Sequence, residues 1–121
     1  MVEQEQQRQP IDLDAVDWAE VDPETGAVTV TLAYPIERTF KGADGERAET
    51  TKAVTLRRPK GKDLRLVGKK GVSEVEIGLK LIDRLSGADM PIADELDALD
   101  IDRLSLVIEV FTEGSRPTGG R

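Results

Sequence analysis

With 24 Asp and Glu residues in 121 positions, carboxylate chemistry is the first possibility to weigh. Asp12-Leu13-Asp14 and Asp100-Ile101-Asp102 form two D-x-D doublets with a spacing that can hold Mg²⁺. The doublet carries little information in so acidic a chain, and each copy has a plainer use. Asp100 and Asp102 suit a helix N-terminus, where the dipole stabilises negative charge. Asp12 and Asp14 fall in a segment with no clear period. Neither stretch has the glycine and terminal glutamate of a calcium loop at the required spacing. Gly61, Gly68 and Lys69 suggest a phosphate loop, but six residues separate the glycines and Lys70 stands where Ser or Thr is needed. A serine nucleophile needs an activating base, and neither G-x-S-x-G nor S-x-x-K occurs. Histidine and cysteine are both absent, which excludes Ser-His-Asp triads, thiol nucleophiles, disulfides and Cys/His zinc sites. The expectation is a protein with no catalytic residues, no cofactor and no metal.

The charge is sorted along the chain. Residues 1–26 carry eight acids against Arg8, residues 57–82 carry eight Lys/Arg against three acids, and residues 83–121 carry nine acids against four arginines. The basic run Arg57, Arg58, Lys60, Lys62, Arg65, Lys69 and Lys70 has no interleaved aromatic residues. The whole molecule, at −7, repels DNA. A nucleic-acid partner is not expected; the run reads as a docking surface for an acidic partner or for the chain's own acidic ends. No apolar run reaches the roughly 18 residues of a membrane span, and MVEQEQQRQP lacks the apolar core of a signal peptide. These features predict a soluble, acidic, intracellular protein with no membrane partner.

The elements follow from periodicity. Residues 1–26 read as an acidic, largely disordered extension, although Ile11–Asp22 could form a short helix or a linear motif that folds on a partner. A lone Trp18 there is expected to pack on its own domain. Asp22-Pro23-Glu24-Thr25-Gly26 is a turn signal. Ala27–Tyr34 then alternates, with Val28, Val30, Leu32 and Tyr34 on one face, and residues 51–58 return with Val54 and Leu56 inward. Asp44-Gly45 marks the hairpin tip. The expected register sets Leu32 against Leu56 and Tyr34 against Val54, with a bulge or a three-residue loop near the tip and Pro35 interrupting the first strand. After Pro59 the period changes to 3.6. Lys60–Lys70 predicts a short helix with Leu64 and Val67 inward. Ser73 opens a better one through a capping box with Glu76 and a staple of Val72 on Ile77. Its face is Val75, Leu79, Ile82 and Leu85, flanked by Ile77 and Leu81, and Gly87 ends it. Gly78 inside this helix calls for a compensating close contact. Pro91–Ala98 predicts a short helix. Asp100 is expected to cap a last helix with the face Ile101, Leu104, Val107, Ile108 and Phe111, ending near Gly114; residues 115–121 read as a flexible tail. The fold class is α+β: a two-stranded β-ribbon followed by a small helical bundle, one domain over 27–114.

At the join between strand and helices the chain reads Val54-Thr55-Leu56-Arg57-Arg58-Pro59-Lys60-Gly61-Lys62-Asp63-Leu64-Arg65. Further on come Leu81-Ile82-Asp83-Arg84-Leu85-Ser86-Gly87 and Leu96-Asp97-Ala98-Leu99-Asp100. This order resembles the tail assembly chaperones of contractile-tailed, Mu-like bacteriophages and prophages, which carry L-R-x-P-x-x-x-D-L at a strand end, a helix with an L-[ST]-G-like stop, and a leucine–aspartate step into a final helix. The resemblance spans about residues 28–112. The extension before Gly26 has no counterpart in it, and the stretch between Phe40 and Thr51 looks longer than usual.

The resemblance implies a non-enzymatic chaperone that binds the tape measure protein, assists tail-tube assembly in the host cytoplasm and is absent from the finished particle. Tail-tube proteins are further implied partners. In the family pattern Leu56, Pro59, Asp63 and Leu64 act as structural markers. Independently of the resemblance, a small bundle with more apolar helix face than a short ribbon covers should self-associate or bind another amphipathic helix. The candidate partner-binding residues are Arg57, Arg58, Lys60, Lys62 and Arg65 from the basic run and Leu104, Ile108 and Phe111 from the last helix. A structural or adaptor protein of the tail, or a generic acidic protein-binding module, would satisfy the same pattern.

Overall fold

The computed structural model describes residues 12–65, 71, 73–87 and 91–114. The expectations for residues 1–11 and 115–121, and for Val67, Lys69, Lys70 and Val72, lie outside the described residues.

Three antiparallel strands form one sheet in the order β1 (Ala19–Val21), β2 (Val28–Gly42) and β3 (Gly45–Leu56). The two-stranded ribbon is thus corrected to three strands, the third supplied by the acidic segment before Gly26. β1 sets Ala19 against Val30 and Val21 against Val28. Leu13 is buried in the core and Trp18 packs against it. The turn into β2 is closed by the Asp22 carboxylate, which accepts the Glu24 amide at 2.9 Å. Gly26 turns at φ +78°, and a Cβ there would lie 2.8 Å from Cδ of Arg58, so another residue would be strained and would have to displace the Arg58 side chain.

The register between β2 and β3 also departs from expectation. Val28 faces Leu56 and Val30 faces Val54; pairing stops after Thr31 with Ala53 and resumes at Ile36 with Thr51. The bulge therefore sits at residues 32–35, around Pro35, and not near the tip. Pro35 has no amide to give a ladder, so extra chain is best accommodated there. Tyr34, expected inward, is rotated out to 57% exposure, and Ile36 becomes the next buried residue. Beyond the bulge the ladder continues to Gly42 against Gly45, so the long stretch between Phe40 and Thr51 is a paired hairpin arm with a two-residue tip.

The helices are α1 (Gly61–Leu64), α2 (Glu74–Ser86) and α3 (Ala98–Gly114), with a 3₁₀ turn at Ala93–Glu95. α2 starts and stops as predicted: the Ser73 hydroxyl accepts the Glu76 amide at 3.1 Å, and Gly87 is left-handed at φ +65°. The helix expected over Pro91–Ala98 shrinks to the 3₁₀ turn. Leu96 is extended there, which buries it and delivers Asp97 to a cap position. Asp97, not Asp100, caps α3: its carboxylate accepts the Leu99 amide at 2.9 Å and its carbonyl the Ile101 amide. The core lies between the sheet and the helices, with Val28, Val30, Leu56, Ile82, Leu85, Leu104 and Val107 almost wholly buried.

Candidate functional site

Two aspartates are buried completely, and both are structural anchors. Asp63 sits in the single turn of α1, where its carboxylate accepts the Lys60 amide at 2.7 Å. Arg57, at the end of β3, reaches it with two nitrogens at 2.8 and 3.0 Å. Arg84, near the end of α2, reaches it at 2.7 Å. The Arg57 hydrogen bonds, with smaller help from the Lys60 amide and Arg84, hold the Asp63 carboxyl well below the usual carboxylate range. The Arg57 amide also donates to the Leu85 carbonyl, so strand end, turn and helix end meet at one clasp. Because Asp63 turns inward to be clasped, the adjacent Leu64 points out at 50% exposure and not into the core as expected.

Asp100 solves a different problem. The bulge in β2 deprives Ala33 and Tyr34 of ladder partners, and their amides donate to the two Asp100 oxygens at 2.8 and 3.0 Å. The carboxylate pins the first turn of α3 to the sheet. Asp102 is exposed, and Asp12 accepts the amide of Asp14 in a local turn. The doublets therefore do not converge, and no group of three or more metal-binding side chain types is assembled among the described residues.

The residues singled out for partner binding divide by environment. Arg57 belongs to the clasp, and Arg58 lies over the Phe111 ring, 5.4 Å from its centre. Lys60, Lys62 and Arg65 are exposed. Leu104 and Phe111 are buried in the core, while Ile108 is half-buried.

Ile108 belongs to an open groove of about 520 Å³ between α2 and α3. Val75, Ile77, Leu79 and Leu81 line it from α2, with Ile101 and Ile108 from α3. Its smallest lining residues are Gly78 and Ser105, and its charged ones are Glu74 and Glu109. α2 changes character along its length: Leu81, Ile82 and Leu85 are buried, Ile77 and Leu79 are half-buried, and Val75 is 72% exposed. Val75 was expected on the core face, but the sheet and α3 do not extend to cover the first turn of α2. The close contact expected at Gly78 is also missing, since a Cβ there would meet nothing within 4 Å. A glycine without an internal reason, inside a well-capped helix, is the signal in the sequence that could have marked this groove.

The described helices include none long and apolar enough to cross a membrane. Residues 29–113 match the family described as "Phage tail assembly chaperone proteins, E, or 41 or 14". Searches of curated proteins and of solved structures return no match.

Proposed function

Because the chain belongs to the phage tail assembly chaperone family, we propose that it is a non-enzymatic holding protein that binds the tape measure protein and assists tail-tube assembly. It acts in the bacterial cytoplasm, for a contractile-tailed phage or prophage of the Mu-like type that the segment order resembles. The observation that carries this reading is the open apolar groove between α2 and α3. A tape measure protein is long and helical, and an amphipathic helix laid in a groove is a common way to cover such a stripe. The net charge of −7 keeps a protein with an open apolar groove soluble.

Ile108 makes partner contact directly, whereas Leu104 and Phe111 support the groove from the core. Lys60, Lys62 and Arg65 orient the complex; Arg57 and Arg58 hold the fold that presents them. Apolar contact supplies most of the affinity, since an exposed ion pair contributes only about 0–1 kcal/mol. The basic side chains set association rate and register.

Co-expression with the tape measure gene tests the reading, scoring soluble complex. Wild-type protein should capture and solubilise the tape measure protein. The variant Lys60→Glu/Lys62→Glu/Arg65→Glu should capture less at low salt, and the deficit should narrow near 0.5 M, where the screening length is roughly 4 Å. Failure of the wild type to capture rejects the chaperone reading. Undiminished capture by the charge-reversed variant rejects only the role of the basic residues.

A further inference from the structure

β3 is 12 residues long and ends the sheet: it pairs with β2, and among the described residues no strand lies on its other side. Residues 45–50 are all exposed, so the far half of the β2–β3 hairpin is a two-stranded arm standing clear of the core. Two strands alone are marginal in water, and a third strand or a packed face stabilises such an arm. Gly42 and Gly45 close the two-residue tip as a mutually hydrogen-bonded pair. Alternation of the ladder then turns the backbone groups of Arg47 and Glu49 toward β2, and those of Glu46, Ala48 and Thr50 toward the free edge. Edges of this length are commonly blunted by proline, a bulge or charge. β3 has no proline, and its charged residues Glu46, Arg47, Glu49 and Lys52 are of both signs.

We propose that β3 pairs antiparallel with β3 of a second copy, Ala48 facing the partner's Ala48 across a two-fold axis, to form a six-stranded sheet. Charge selects both the occupant and the register. An antiparallel pair of identical strands turns about an axis through one residue that faces its own counterpart. With Glu46, Arg47, Glu49 or Lys52 on the axis, a charge meets itself; with Thr50 or Thr51 there, no charges meet. With Ala48 on the axis, Arg47 faces the partner's Glu49 and Asp44 faces the partner's Lys52, each twice, and no like charges are opposed. Arg47 and Glu49 are already paired within the chain at 3.0 Å. Association sets that pair against its inverted copy, so the four charges alternate in sign. Ala48 has the smallest side chain between Glu46 and Lys52, which lets the two edges approach at the axis. The axis runs perpendicular to the sheet and so places both helix layers on one face, where a long partner can engage two copies at once. The pairing itself does not rest on the chaperone reading.

The chain has no cysteine, so single cysteines introduced into the full-length protein report the register cleanly. Directly opposed Cα atoms on the axis lie about 5.5 Å apart, within disulfide reach. Residues 46 and 50 each stand four positions from their own counterparts, roughly 13 Å along the strand. Mild oxidation should therefore crosslink Ala48→Cys and leave Glu46→Cys and Thr50→Cys uncrosslinked. Sedimentation equilibrium should show wild type as a concentration-dependent dimer. Arg47→Glu opposes Glu to Glu twice and should weaken association by about tenfold or more, and Arg47→Glu/Glu49→Arg should restore it. Ala48→Pro removes an amide that faces the free edge, so it should abolish the dimer and leave the monomer folded by circular dichroism. A wild type that is monomeric at every concentration, equal crosslinking at positions 46, 48 and 50, or a charge swap that fails to restore association overturns the proposal. So does a dimer that Ile108→Asp dissolves and Arg47→Glu leaves intact, which would assign self-association to the groove between α2 and α3.

Discussion

The two halves of α2 are built to opposite specifications. Its second half buries Leu81, Ile82 and Leu85 against the sheet and sends Arg84 into the Asp63 clasp. Its first half leaves Val75 72% exposed, places a glycine at 78, and borders a groove. The sequence pattern across both halves is the same amphipathic stripe, so periodicity alone assigns them equal roles. What separates them is coverage: β3 and α1 reach the second half, whereas among the described residues the first half is left open along the groove it shares with α3. One helix therefore serves both the core and the exposed surface, and variants placed in the two regions should fail in different ways.

The largest effect is expected at Leu104, which is wholly buried. Leu104→Asp would bury an unpaired charge at a cost of several kcal/mol, comparable with the total stability of a small domain. A circular-dichroism melt should lose its cooperative transition. A wild-type melt would mean that the closed region is not the core.

Asp63→Asn should come next. Removing one partner of a buried ion pair costs about 3–5 kcal/mol; because Arg57 and Arg84 are each more than a third exposed, the loss should fall at the lower end, about 3 kcal/mol. The pH dependence has a definite sign. The folded carboxyl titrates below its unfolded value, so its contribution is fully present above the unfolded pKa, near 4, and is lost as pH falls through the depressed folded pKa. The gap between wild type and Asp63→Asn in denaturant titrations should be constant from neutral pH down to about 5 and close progressively below 4. A gap that widened on acidification would contradict the clasp.

Asp100→Ala should be milder and local. It leaves the Ala33 and Tyr34 amides without their acceptor, for a loss of about 2 kcal/mol. Native-state hydrogen exchange should accelerate at those two amides ahead of the rest of β2. Uniform acceleration along β2 would mean that Asp100 acts on the whole sheet.

Legibility followed the length and regularity of each signal. The alternation of Val28, Val30 and Leu32, the Ser73 cap and the Gly87 stop each follow a local rule, and the structure contains them; of the Ser73–Glu76 box it contains the bond from the Glu76 amide to the Ser73 hydroxyl. β1 was not legible because three residues carry no period and their pairing depends on β2. The register was missed because the bulge at residues 32–35 is stabilised by Asp100, 66 and 67 positions away. Separation in sequence also hid the purpose of Asp63: it could be read as a structural marker, but its partnership with Arg84, 21 positions away, exists only once α2 packs. For the site, the residue types were visible and the sorting was not. Arg57 and Lys62 look alike in a basic run, as do Leu104 and Ile108 on a helix face, until packing ties Arg57 to Asp63 and buries Leu104.

The most direct test of the division between closed and open regions is Ile108→Asp, scored together for melting temperature and for capture of the co-expressed tape measure protein. Ile108 is half-buried and lines the groove. The charge can reach water there, and the stability loss should stay near about 1 kcal/mol. The account predicts a folded protein that no longer holds the tape measure protein soluble. A folded Ile108→Asp protein that captures as well as wild type would contradict it.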